Sequence, residues 1–255
     1  MFLPISDDNP NKKKPVATWL LIGACVATFI WQKGLDEPAL HLATLAYGLI
    51  PADLFGTVAL NPSISIVPAW ITIFTSMFLH GGWMHLGGNM LYLWIFGDNV
   101  EEAVGSVKFL IFYMSCGFIA ALAQTMSDTY SVVPMVGASG AVSGILGAYL
   151  VLYPLANVRV LVWIIIFVTI INVPAWIVLS LWFAGQLWSQ AGASASSGVA
   201  FLAHIGGFVA GLMLIFFMRR SGVRVFNSKR TRPFDTRTNR LRVRSSKGSV
   251  PKSGS

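Results

Sequence analysis

Residues 137–147 read Gly137-Ala138-Ser139-Gly140-Ala141-Val142-Ser143-Gly144-Ile145-Leu146-Gly147. The stretch follows Pro134 and runs on into an apolar segment at 148–153. Small residues leading into an apolar run read as the first turns of a membrane-crossing helix, with a hydroxyl near the membrane surface. Gly140, Gly144 and Gly147 are spaced by four and three, so they share one helix face and allow close approach of a neighbour. In an isolated glycine-rich helix Ser139 would more often be a packing residue. Its reading as a nucleophile depends on what the rest of the chain brings to its depth.

Composition sets the frame. The 255 residues are 55% apolar and 11% charged, with mean hydropathy +0.67. A soluble domain carries about a quarter charged residues. Residues 160–186 contain no charge at all, the pattern of a polytopic membrane protein. The net charge of +8 sits mainly at the ends: Lys12, Lys13 and Lys14 precede the first apolar run, and twelve Lys or Arg follow from Arg219 onward against Asp235 alone. That tail abuts an apolar run and lacks aromatic interleaving, which points to lipid head groups and away from nucleic acid. Cys25 and Cys116 both lie inside apolar runs and do not form a disulfide framework.

Six spans are expected, at about 16–32, 83–96, 107–126, 139–153, 160–184 and 201–218, the fifth kinked at Pro174. This is an all-α, six-transmembrane-helix bundle with a long first external loop at 33–65. Residues 1–15 are expected as a cytoplasmic tail without fixed structure, 16–218 as the membrane domain, and 219–255 as a flexible basic cytoplasmic tail. The apolar run at 66–79 has fourteen residues, which at ~1.5 Å each falls short of the ~30 Å hydrocarbon core. It reads as an interfacial segment of the first loop. Charge topology agrees. Two basic ends belong in the cytoplasm, which requires an even number of spans. Six spans also bring Lys108 and Arg159 inside and leave Lys33 outside.

On this topology spans two, four and six run the same way, so their N-termini share one level near the outer face. His85 and Asn89 begin span two, Ser139 begins span four, and His204 begins span six. Polar and ionisable groups inside a membrane are costly and usually functional. A serine hydroxyl needs a base with a pKa near working pH, and histidine supplies it. Ala203, Gly207 and Gly211 on span six can pack against the glycines of span four and bring His204 to Ser139. Unpaired backbone N–H groups at the start of span four, with His85 and Asn89, suit a developing oxyanion. No Asp or Glu lies in a span near His204, so a Ser–His dyad is expected.

The motifs Gly137-Ala138-Ser139-Gly140, Ala203-His204-Ile205-Gly206-Gly207 and His80-Gly81-Gly82-Trp83-Met84-His85-Leu86-Gly87-Gly88-Asn89, with Glu101 and Gly105, resemble the rhomboid family of intramembrane serine proteases. The resemblance covers roughly residues 60–215. It implies a rhomboid-like bundle that cleaves transmembrane segments of membrane proteins near the outer face, without metal or cofactor. It further implies Ser139 as nucleophile, His204 as base, and His85 and Asn89 as oxyanion donors. By the same analogy span five or loop 187–199 admits substrate. The compact form suits a bacterial inner membrane. Two positions depart from the pattern. Ile71 follows Trp70 where well-studied members carry a Trp-Arg pair, and Ser143 stands where some members stack a tyrosine on the histidine. One way of holding the ring is then a hydrogen bond from Ser143. His80 is expected to hold the loop before span two, His41 to be exposed, and Trp176, Trp182 and Trp188 to form an interfacial belt at the outer end of span five.

Two other functions compete. Inactive rhomboid-like binders of membrane helices typically lack the serine or histidine, and both are here. A transporter would need a polar path across the membrane, whereas the ionisable residues gather at one end. The oligomeric state, natural substrate and scissile bond are not encoded in these motifs.

Overall fold

A computed structural model describes residues 2–10, 13–58, 61, 64–164, 166–192 and 200–227. The chain opens with strand β1 (Phe2–Asp7) and helix α1 (Val16–Lys33). It continues through α2 (Glu37–Tyr47), the single turn α3 (Pro51–Leu54), α4 (Ala69–Thr75) with a 3₁₀ turn at Ser76–Phe78, α5 (Trp83–Val104) and α6 (Ser106–Thr125). Then come α7 (Ser139–Leu152), strands β2 (Asn157–Ile164) and β3 (Phe167–Pro174), α8 (Ala175–Ala191) and α9 (Phe201–Met218).

Helix α7 is the central rod, packed by α5, α6, α8 and α9. Twelve of its fourteen residues are buried, all but Ser139 and Leu150. Its small residues make this enclosure possible. A methyl group on Gly147 would overlap the Phe208 carbonyl, and one on Gly207 or Gly211 would overlap the carbonyls of Gly140 and Gly144. The α7 and α9 backbones therefore touch, as the glycine spacing predicts. Phe109, Phe112, Tyr113, Ile145 and Leu152 complete the core around this contact.

The α5–α6 junction is locked by one carboxylate. Helix α1 starts at Pro15 with no side-chain cap, so its first N–H groups need outside partners. Glu101 provides them, accepting from Ala17 N at 3.0 Å and from Thr18 N and Oγ1 at 2.8 Å each. The same carboxylate accepts from Ser106 Oγ at 2.6 Å. A negative group at a helix N-terminus is also favoured by the dipole. Gly105 turns the corner at φ +95°, and the Arg220 guanidinium packs against it.

The structure corrects several expectations. The fold is mostly helical but not all-α, because β1, β2 and β3 form an antiparallel sheet in that order. The run expected as the first half of span five is a hairpin. A continuous apolar run is compatible with either state, and here β-branched residues at alternate positions (Val158, Val160, Val162) point one face of β2 into the core. Pro174 is therefore a helix N-cap and not a kink. Residues 2–7, expected as a free tail, pair with β2 from Phe2↔Val162 to Asp7↔Val158. The second helix runs on past 96 to Val104 through Asp98 and Asn99. The loop at 33–65 contains α2, capped by Asp36 accepting from Ala39 N at 2.9 Å, and α3. Helix α8 extends to Ala191, while 193–199 and 228–255, expected as loop and flexible tail, lie outside the described residues.

Candidate active site

The connection into α7 is pinned from two sides. Leu49 and Met135 exchange backbone hydrogen bonds at 3.0 and 2.8 Å, and Gly137 N donates to Ser76 O at 2.8 Å. Gly137 has φ +124°, and a Cβ there would sit 2.6 Å from Cε1 and Nε2 of His85. Only glycine lets the chain turn into α7 with the His85 ring this close. Ala138 then accepts the first helical bond, from Val142 N at 2.9 Å, which leaves Ser139 in the first turn among unpaired N–H groups.

Across the α7–α9 contact, His204 Nε2 lies 2.8 Å from Ser139 Oγ. The other ring nitrogen, Nδ1, lies 2.7 Å from Gln186 Oε1 on α8. The Trp182 ring sits 6.1 Å from the imidazole, centroid to centroid. An open cavity of about 220 Å³ is lined by Ser139, His204, His85, Asn89, Gln186 and Trp182, among others. All four residues expected at one depth thus face one cavity. Ser139 and His204 are bonded directly. His85 Nδ1 accepts from Gly81 N at 3.4 Å, and Asn89 Nδ2 donates to the His85 carbonyl at 3.1 Å.

Ser143 does not hold the histidine. Its hydroxyl donates to the Ser139 carbonyl at 2.6 Å, one turn back along its own helix. Gln186 Oε1 faces the ring nitrogen instead, and the sequence reading missed it by ending span five at 184. The available signal was Trp182 and Gln186 four residues apart in a charge-free helix, hence on one face. The tryptophans are not a belt at one end either. Trp176 lies in the first turn of α8, Trp188 lies near its end, and Trp182 turns inward.

His80 behaves as a loop residue. Its N–H donates to Gln32 Oε1 at 3.0 Å, its Nδ1 lies 3.1 Å from Phe78 O, and burial lowers its pKa to about 4. His41 is exposed. Among the described residues no three His, Cys, Asp or Glu side chains gather as a metal site.

Residues 68–221 match the family model described as the Rhomboid domain. The chain belongs to the rhomboid family. It is 31% identical over 160 residues to "Rhomboid protein 1, mitochondrial" of Saccharomyces cerevisiae, covering 61% of this chain and 44% of that protein. It is 34% identical over 137 residues to "Rhomboid protease GluP" of Bacillus subtilis (54% and 24%), and 27% identical over 213 residues to "RHOMBOID-like protein 1" of Arabidopsis thaliana (80% and 49%). The chain thus spans between a quarter and a half of the length of these relatives. This rhomboid is an integral membrane protein. Val16–Lys33, Ser106–Thr125 and Phe201–Met218 are each long and apolar enough to cross a bilayer, and the match runs from the start of α4 to just beyond α9.

Proposed function

We propose that this rhomboid is an intramembrane serine endopeptidase that cuts transmembrane segments of membrane proteins near the outer face. The observation that carries the reading is the 2.8 Å contact between Ser139 Oγ and His204 Nε2. It is supported by a cavity shared with His85 and Asn89.

His204 Nε2 takes the Ser139 proton as Oγ attacks the scissile carbonyl. The resulting oxyanion lies against the α7 N-terminus, where the first-turn N–H groups and the dipole favour negative charge. His85 and Asn89 supply further donors, Asn89 by turning its amide away from the His85 carbonyl. His204 then gives its proton to the leaving amine, and the acyl-enzyme ester forms on Ser139. Water, deprotonated by the same nitrogen, attacks the ester and restores the hydroxyl. No metal or cofactor enters this sequence.

Six helices, α1 and α5 to α9, serve as the spans of residues 16–218, with both termini in the cytoplasm of a bacterial inner membrane. At ~1.5 Å per residue α7 is ~21 Å long, shorter than the ~30 Å hydrocarbon core. Ser139 then lies below the surface, reached by water through the open cavity. Partners are transmembrane protein substrates and lipid, with no nucleic acid.

The test is cleavage in proteoliposomes of a helical substrate rich in small residues. Wild-type protein cuts it, and Ser139→Ala and His204→Ala, folded and inserted alike, lose the activity at least a thousandfold. Equal cleavage by Ser139→Ala would sink the mechanism. A wild type that binds the substrate without cutting it would replace this reading with that of an inactive binder.

A further inference from the structure

We propose that Gln186 is a positioning residue that sets the tautomer of His204, and that a neutral amide on α8 completes the pair as a Ser–His–Gln relay. The inference rests on the protease reading for its kinetic consequence, and on geometry alone for the hydrogen bond.

His204 has two ring nitrogens and, when neutral, one proton. A base for Ser139 needs Nε2 unprotonated, so the proton must sit on Nδ1. Nδ1–H then needs an acceptor. Gln186 Oε1 stands 2.7 Å away while Ser139 Oγ stands 2.8 Å from Nε2. With the amide oxygen facing Nδ1, the productive tautomer satisfies both bonds. The reverse tautomer would first need the amide to turn its NH2 end toward Nδ1.

The surroundings hold this bond in register. Phe183 on α8 stacks on Phe208 on α9 at 4.5 Å. Each sits about one helical turn from its polar neighbour, Gln186 or His204, so an apolar clasp lies beside the polar contact. Trp182, one turn before Gln186, covers the same ring. Along the rest of α8, Ala175 and Leu179 are fully buried and Val178 packs against the core. The groups facing the imidazole are Ser139 from α7, Gln186 and Trp182 from α8, and His85 from α5. No carboxylate lines the cavity among the described residues.

An amide suits this depth better than a carboxylate. It accepts the Nδ1 hydrogen bond without bringing a charge into a low-dielectric setting. A glutamine in an apolar helix is itself costly unless bonded, and His204 gives it that partner. Ser143 turns back to its own helix, and the α8 face of Trp182 and Gln186 meets the imidazole instead.

The test compares wild type, Gln186→Leu and Gln186→Glu as full-length protein in proteoliposomes. Gln186→Leu should lower kcat roughly tenfold or more with KM within about twofold, because substrate contacts stay while the tautomer is lost. Gln186→Glu restores the acceptor and adds a negative charge beside the imidazolium. It should recover kcat and move the acid limb of the pH profile up by about one unit. A Gln186→Leu enzyme with wild-type kcat and pH profile overturns the proposal. ¹⁵N NMR of histidine-labelled protein in micelles reads the tautomer without any turnover. The wild type should carry the His204 proton on Nδ1, and Gln186→Leu should populate the Nε2–H form. An unchanged tautomer in Gln186→Leu overturns the proposal even if no cleavage is ever seen, whereas loss of the protease reading alone leaves this spectrum as the deciding result.

Discussion

At Gly137 the backbone takes φ +124° and passes so close to the His85 ring that a Cβ would lie 2.6 Å from it. Gly137→Ala therefore strains the turn and pushes the ring out of the cavity. Left-handed strain at a non-glycine residue costs about 1–3 kcal/mol. On the proposed mechanism, the expected outcome is a lower Tm together with at least a tenfold loss of cleavage, read by thermal unfolding and the proteoliposome assay on the same preparation. At this scale much was legible. Ser139, His204, His85 and Asn89 announce themselves because polar side chains are rare in apolar helices, and a common helix depth groups them. Gln186 did not announce itself, since its importance lies in facing one ring nitrogen, and no periodicity states what a side chain faces. Ser143 shows the same limit. It sits one turn from Ser139 as expected, but a serine inside a helix readily bonds the carbonyl four residues back, and this one does.

Among the elements, the helices that carry the site were legible from apolar length and glycine spacing, and the α7–α9 backbone contact follows from them. Residues 157–174 were not. Their apolar content fits a membrane helix and a buried strand equally well. The alternation of Val158, Val160 and Val162 decides for strand only once a core exists on one side. The α1 N-terminus is a second case. Pro15 offers no cap, and the missing acceptor is Glu101, 3% exposed and 83 or more residues distant. Glu101→Ala strips four donors of their acceptor at once. The expected loss is several kcal/mol, since each buried unsatisfied donor costs about 1–3 kcal/mol. It should appear as a marked fall in Tm in detergent. A Tm within a degree of wild type would mean that water replaces the carboxylate.

For the whole molecule, the N-terminal strand ties α5, α7 and the sheet together. Asp7 Oδ2 accepts from Tyr149 OH on α7 at 2.5 Å and from Asn99 Nδ2 on α5 at 3.2 Å. Burial raises the Asp7 pKa from 3.8 to about 7, the Tyr149 bond offsets part of this, and Asp98 and Asp8 add to it. The folded protein holds this proton more tightly than the unfolded chain. Its stabilising contribution is full below about pH 4 and is lost as pH rises through about 7. Wild-type Tm should therefore drop between pH 5 and pH 8 by more than that of Asp7→Asn, which keeps an acceptor oxygen and carries no charge. Parallel Tm profiles for the two proteins would exclude this role for Asp7. The sequence by itself determined the membrane setting, the family and the residue types gathered at the candidate site. Those properties reside in composition, local spacing and helix depth, which a chain carries along its length. Tertiary structure decided that residues 2–7 are a strand, that 157–174 is a hairpin, and that Gln186 faces His204. Each depends on a partner elsewhere in the chain, as distant as the 142 residues between Asp7 and Tyr149, and a partner's position is defined only when the elements have packed.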